Sequence, residues 1–328
     1  MGVYHLMGLG LSLGTVTGPL SYLGYRYQRW DKEDQAFFSR SGEVKQREAG
    51  EKVGDVQALV LFTTQEVIVG RDEVTGKILF PRPYVVNHRG RISAGEIKSK
   101  APMKESLIPF LEKTWPEIAG GRREGTIFWC EVDRRDIQKT FNRIARVIVA
   151  LSRKEQWVNL TGGNNVTNFA LQLASSLSGE VARLYYVQAE NEQAEKCIFY
   201  TSERGYWVDI PVMPLVLSRV NRAILHLLGD SPATLQELYS RLCYHQEYGV
   251  LILNIPSEAL LENHVSPMWT QGLISGTSEK TGPYTLGPQW EIIRPYEVTL
   301  EQARQQGVTI EQLARQEPWL SEQTIPLI

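Results

Sequence analysis

A serine hydroxyl set among glycines, in Gly8-Leu9-Gly10-Leu11-Ser12-Leu13-Gly14-Thr15-Val16-Thr17, is the first stretch whose residue types could do chemistry. The glycines let a backbone come close to a ligand, and Ser12 adds a rotatable donor for a phosphate or ribose oxygen. Far along the chain, Thr161-Gly162-Gly163-Asn164-Asn165 has the same character, with two side-chain amides in place of the hydroxyl. Both stretches follow a short apolar run and precede a helical pattern. In an open parallel sheet, ligands sit where loops leave the carboxyl ends of strands, and a helix N-terminus there presents unpaired N–H groups to an anion. The chemistry is then anion binding, with Gly10, Leu11, Ser12, Gly14 and Thr15 on one lip and Thr161, Gly162, Gly163, Asn164 and Asn165 on the other. The structural alternative is a pair of tight β-to-α turns, with Ser12 as a cap and Asn164 or Asn165 left-handed. A dinucleotide fingerprint fails, because position 13 is Leu13 and no acidic residue closes a second strand at the needed distance. Asp133-Arg134-Arg135-Asp136 opens another helix after a strand; its charges suit solvated caps, and Arg134 or Arg135 could also reach the cavity.

Periodicity supplies the elements that must hold these residues. Val3 to Met7, Val56 to Phe62, Thr126 to Val132, Trp157 to Leu160 and Arg183 to Gln188 read as buried strands. Helices are predicted over Val16 to Tyr27, over Asp136 to Leu151 with Ile137, Phe141, Ile144, Ile148 and Leu151 on one stripe, and through Phe169, Leu173 and Leu177 to a stop near Gly179. The alternation implies an α/β fold, a Rossmann-like, doubly wound and mostly parallel sheet over residues 1–213. A charged insertion over 31–105 interrupts it. There Asp31 to Gly54 reads as a solvated excursion, and Arg71 to Glu105 as a mobile, partly hairpin segment with eight basic residues, Arg82 among them, against four acidic ones.

From Pro214 the pattern changes. Val216, Val220, Ile224 and Leu227 mark a helix, Thr234-Leu235-Gln236-Glu237 is a capping box opening a second with Leu238 and Leu242, and a third piece lies near Ser266 to Ile274. Ser275 to Pro288 resembles a β-wing, so a C-terminal winged helix-turn-helix is expected over 214–296. A short helical tail over 297–328 follows, with Thr299 and Thr309 as helix caps; it is too short for a further effector domain.

The chain has 328 residues and 42% hydrophobic content, enough for a sizeable core in one large or two moderate domains. With 35 Lys plus Arg against 37 Asp plus Glu, its net charge of -2 gives no global pull toward nucleic acid or anionic membrane. Gly229 to Trp290 holds six acidic residues and two basic ones, which argues against DNA binding by the winged helix. Cys130, Cys197 and Cys243 are odd in number and far apart, so no disulfide framework is expected and a reducing cytoplasm is the simpler location. His5, His88, His226, His245 and His264 lack metal spacing, with His226 expected in a helix core; no metal and no cofactor is expected. The apolar first 23 residues are broken by glycines and Pro19 and lack an early cation, so they read as strand and turn rather than a leader, and no run is long enough to span a membrane.

The stretch from Met7 to Thr17, with Val158-Asn159-Leu160-Thr161-Gly162-Gly163 and then Leu184-Tyr185-Tyr186-Val187, resembles the CRISPR-associated Rossmann fold (CARF) family, and the winged helix fits that resemblance. The resemblance covers most of residues 1–290. It implies a homodimer that binds a cyclic oligoadenylate, usually cyclic tetra-adenylate, across its two-fold axis. It further implies either a ring nuclease of type III CRISPR systems or, as the alternative, a non-cleaving regulator or sensor responsive to the same ligand. In a ring nuclease, a ribose 2′-oxygen attacks the neighbouring phosphorus without metal. Ser12 matches the family position implicated in cleavage. The family's T-G-G turn is commonly followed by a Lys, where Asn164 and Asn165 stand here, which places Asn165 as the second catalytic candidate. A lost oxyanion donor costs on the order of 3 kcal/mol, so slow cleavage is expected.

Overall fold

The structure is a computed structural model that describes residues 2–39, 53–88, 91–92, 95–189, 205–213, 217–245, 255–280 and 282–327. Two compact units share the chain, Met1–Pro214 with Leu300–Ile328, and Leu215–Thr299. In chain order the first unit runs β1 (Val3–Gly8), α1 (Gly14–Arg29), α2 (Lys32–Ser39), β2 (Val56–Thr63), α3 (Gln65–Val69), β3 (Asn87–His88), β4 (Arg91–Ile92), α4 (Met103–Thr114), β5 (Glu124–Glu131), α5 (Ile137–Ala150), β6 (Glu155–Asn159), α6 (Asn165–Ser178), β7 (Arg183–Ala189) and β8 (Gly205–Ile210).

Seven strands form one sheet in the order β11-β5-β2-β1-β6-β7-β8, where β11 is Leu320–Pro326. The five central strands pair in parallel, and β8 and β11 close the two edges in antiparallel fashion. Every residue of β1 is buried, as a strand covered on both faces requires. Val3 and Met7 join a cluster with Val16, Leu20 and Leu23 of α1 and Met103, Leu107 and Leu111 of α4. Tyr4 and Leu6, equally buried, alternate to the opposite face, where α5 packs on α6. This is the doubly wound arrangement that the alternating pattern implies.

The details depart from the sequence reading in places. Asp31 to Ser39 is no solvated excursion: α2 buries Asp34, Phe37 and Phe38. Asp34 accepts from Arg26 Nε at 2.7 Å and Arg29 Nε at 2.6 Å, which outweighs its burial and holds its carboxyl below the usual range. Arg183 clamps the same helix, bonding the Phe37 carbonyl at 3.0 Å and Asp209 through two nitrogens, with its guanidinium 4.2 Å from the Phe37 ring centroid. Residues 40–52, Arg89, Cys197, Val216 and Glu247 lie outside the described residues. Ile137, placed on the apolar stripe of its helix, is 39% exposed at the start of α5 while Phe141, Ile144 and Ile148 of that stripe are buried; Phe169 is 63% exposed on α6, which buries Ala170, Leu171 and Ala174. Described residues of the basic segment are tied to their surroundings: Leu79 N donates to Gly70 O, Arg82 N to Leu11 O, and Tyr84 and Ile97 exchange both backbone bonds.

In the second unit, α7 (Arg219–Asp230), α8 (Leu235–Tyr244) and α9 (Glu258–Thr270) are followed by an antiparallel hairpin of β9 (Ile274–Gly276) and β10 (Tyr284–Leu286). The capping box forms, with Glu237 N donating to Thr234 Oγ1 and Thr234 N to Glu237 Oε2. Leu238, Leu261, Val265 and Met268 build its core. His226, expected in that core, is exposed on α7 and meets His245 edge to face at 6.0 Å, since Ile224, Leu225 and Leu228 take the buried positions. Thr299 lies inside helix α10 (Pro288–Gln306), where its hydroxyl donates back to Pro295 O instead of capping. Thr309 does cap α11 (Ile310–Gln316), and the tail then ends in the edge strand β11 rather than in helix. Among the described residues no helix is long and apolar enough to cross a membrane.

Candidate functional site

The strand order reverses between β1 and β6. From β1 the chain winds one way through β2 to β5, and from β6 the other way to β7. The two strands are parallel with Met7 opposite Asn159, so the loops that follow them leave the same end of the sheet side by side. A reversal of this kind opens the crevice in which doubly wound sheets bind ligands. Both loops singled out for their glycines flank it.

Those glycines serve first to let the loops touch each other. A Cβ on Gly162 would lie 2.5 Å from Gly8 O and from Thr15 Cβ, and one on Gly8 would lie 2.6 Å from Gly162 O. Gly163 has φ +91°, the left-handed turn that had been expected at an asparagine, while Asn164 is extended. Asn159 ties the corner together: its Oδ1 accepts from Thr161 N at 2.8 Å, and its Nδ2 reaches Thr15 O at 3.5 Å. Around Gly10, by contrast, a Cβ would meet nothing within 4 Å, so this glycine borders open space.

The polar groups divide into engaged and available. Thr15 Oγ1 donates to Ser12 O at 2.8 Å, and Thr161 Oγ1 accepts from Val187 N at 2.8 Å. Asn164 caps α6, its Oδ1 accepting from Thr167 N at 2.9 Å. Ser12 is not a cap: Leu13 occupies that position of α1 without a side-chain bond, and the partly exposed Ser12 hydroxyl has no partner among the described residues. Asn165 is exposed in the first turn of α6, and its amide group is likewise without a described partner. The backbone N–H groups of Gly14 and Thr15 in α1, and of Asn165 and Val166 in α6, make no bond to described residues, as expected for first-turn donors. Two helix N-termini, a hydroxyl and a side-chain amide therefore adjoin one crevice without a charged group of their own.

Arg134 and Arg135 belong to different surroundings. They line a cavity of about 290 Å³ at the ends of β2 and β5, together with Glu66, Glu131, Asp133 and Lys139, and none of the glycine-loop residues lines it. Arg134 Nη2 bonds Glu66 Oε1 at 3.2 Å. Asp133 accepts from Arg135 N, which with Lys139 holds its carboxyl below the usual range, and Asp136 caps α5. The expected capping role of this run is what its hydrogen bonds display.

No protein-family model matches the chain. An uncharacterized protein of Archaeoglobus fulgidus is 24% identical to it over 255 residues, covering 70% of this chain and 74% of that protein. Among solved structures, Enterococcus italicus Csm6 bound to cyclic hexa-2′-fluoro-hexa-dAMP aligns with a TM-score of 0.36 at 12% identity, over 96% of this chain and 65% of that chain. This chain thus spans less than two thirds of that protein's length.

Two residues of the corner had no local signal. Asn159 reads in sequence as the end of a buried strand, and its bridging role follows from the register with β1. Arg82 is one of many basic residues until its backbone bond to Leu11 O, at 2.7 Å, brings it beside the Ser12 loop.

Proposed function

We propose that this chain acts as a homodimer that binds cyclic tetra-adenylate and cleaves it slowly to linear products, ending a type III CRISPR signal. The observation that carries the reading is the pairing of the Ser12 loop with the Thr161-Gly162-Gly163 turn at the strand-order reversal, interlocked through Gly8 and Gly162. That crevice offers backbone N–H groups and neutral donors, the chemistry that holds phosphodiester oxygens. A two-fold axis presents the same crevice twice, and a ring of four identical nucleotides contains that symmetry, so each protomer holds half the ring.

Cleavage needs a nucleophile already present in the ligand. The ribose 2′-oxygen attacks the adjacent phosphorus and releases its proton, the bond from phosphorus to the 5′-oxygen breaks, and that oxygen takes up a proton. The products carry a 2′,3′-cyclic phosphate and a 5′-hydroxyl. The protein contributes by holding nucleophile, phosphorus and leaving oxygen in line and by aiming fixed donors at the charge that builds on the phosphoryl oxygens. Ser12 Oγ and the first-turn amides of α1 act on one lip, and Asn165 on the other. Asn164 contributes by capping α6 and fixing the turn. With Asn164 and Asn165 in place of a lysine after the Thr161-Gly162-Gly163 turn, turnover is slow.

The segment 214–296 is read as a winged helix that serves dimerisation or covers the ligand; its acidic excess disfavours a duplex. Incubating the protein with radiolabelled cyclic tetra-adenylate in EDTA tests the cleavage claim. Linear products ending in 2′,3′-cyclic phosphate are expected, with Ser12→Ala retaining binding and losing about 100-fold in rate. Intact ring after hours at excess protein would remove the nuclease reading and leave the non-cleaving sensor.

A further inference from the structure

Among the described residues neither glycine-rich lip of the crevice carries a cation of its own, yet the crevice would hold phosphates. We infer that Arg82 supplies it: this side chain is the phosphate-contacting cation of the Ser12 lip, an inference that rests on the anion-binding reading above. Three observations carry it.

The first is placement. Arg82 N donates to Leu11 O at 2.7 Å, and that carbonyl belongs to the peptide joining Leu11 to Ser12. The Arg82 backbone is therefore in direct contact with the loop that carries the free hydroxyl, within one arginine side chain's reach of anything bound to it.

The second is rigidity. Arg82 stands between Pro81 and Pro83. Each proline fixes its own φ, and a residue preceding proline is confined to extended conformations, so the strap has few alternatives. It is tied down on both sides as well, by Leu79 N to Gly70 O at 2.9 Å and by the Tyr84 and Ile97 pair at 3.0 and 2.7 Å. A charge displayed from such a strap loses little backbone entropy when it engages a ligand.

The third is availability. The Arg82 side chain is exposed and makes no ion pair, hydrogen bond or ring contact among the described residues. Arg26, Arg29, Arg122, Arg134, Arg143, Arg146 and Arg183 of the same unit are all bound to carboxylates. A guanidinium is also the side chain best shaped to grip a phosphate through two parallel bonds. The ligand class is thus a phosphodiester whose oxygens touch Ser12 and Arg82 together.

Because the strap's contact with Leu11 is through the main chain, Arg82→Ala removes the charge and leaves the anchor. The test is equilibrium binding of labelled cyclic tetra-adenylate to the native protein, Arg82→Ala and Arg82→Lys over a series of KCl concentrations. Arg82→Ala is expected to weaken binding about ten- to hundredfold at low salt, with a shallower dependence of log affinity on log salt. Arg82→Lys keeps the native salt dependence at intermediate affinity, a rescue that a purely structural role would not give. Native affinity and salt slope in Arg82→Ala would overturn the assignment while leaving the ring-binding reading standing. Failure of the native protein to bind the ring would overturn that reading, and the Arg82 assignment with it.

Discussion

Gly162 and Gly10 look alike in sequence, and their surroundings separate them. A methyl on Gly162 collides with the Gly8 carbonyl oxygen and Thr15 at 2.5 Å, where backbone must move, whereas a methyl on Gly10 meets nothing within 4 Å. Gly162→Ala is expected to cost about 1–3 kcal/mol, the usual range for overpacking, and Gly10→Ala to leave stability unchanged within about 0.5 kcal/mol. Thermal melting of the two variants checks this; equal losses, or none, would contradict the interlock of the two loops. At this scale the sequence was informative about residue type and weak on partners. The position of Ser12 and of the Thr161-Gly162-Gly163 turn, each between a strand and a helix, was legible because a glycine-rich run after an apolar stretch marks a β-to-α turn. What each group touches was not: Thr15, Thr161 and Asn164 bond within the protein, leaving Ser12 and Asn165 available. Arg82 was one cation in eight until its backbone met Leu11.

The elements themselves follow from periodicity wherever a strand is covered on both faces. β1, β2, β5, β6 and β7 were legible to within two or three residues, since continuous apolar runs bounded by turns have few other readings. Elements stabilised by distant partners were missed. Helix α2 lies in a charge-dense stretch and is held by Arg26, Arg29 and Arg183, and α4, β8 and β11 find their places only against the finished sheet. The centre of that sheet also sets a pH dependence. His5 on β1 is fully buried, with Nδ1 2.9 Å from the Tyr185 hydroxyl and Nε2 without a described partner. Burial first, and the Arg183 charge second, push its pKa from 6.5 down to about 3. The unfolded chain protonates this histidine near its ordinary value, while the folded one resists until about pH 3, so the stabilising difference is present above 6.5 and is lost as pH falls through that window. The cost approaches about 1.4 kcal/mol per pH unit. Denaturant unfolding of the native protein and His5→Gln between pH 7 and 4 is expected to show a steeper decline in the native protein; parallel curves would contradict a neutral buried imidazole.

At the scale of the molecule, each of the two units has its own core, one built on the sheet and one around Leu238, Leu261 and Met268. The change of pattern near Pro214 was legible, because helix caps and a Gly-rich and Pro-rich hairpin replace the alternation of strand and helix. The return of the chain was not. After α10 it supplies β11, seven residues that pair with β5 and close an edge of the sheet far back in sequence. With a net charge of -2 the molecule has little long-range attraction for polyanions, so the phosphate ligand proposed above would have to be recognised at short range, by the loops at the strand-order reversal. Under the proposed reading, a crevice of neutral donors with Arg82 beside it would hold only half of a four-phosphate ring, and a two-fold axis would supply the other half. Isothermal titration of the intact protein with cyclic tetra-adenylate, beside Gly162→Ala, tests that claim most directly. One ring per two chains is expected, with binding lost or strongly weakened when the loop interlock is disrupted; no heat of binding, one ring per chain, or unchanged affinity in Gly162→Ala would contradict it.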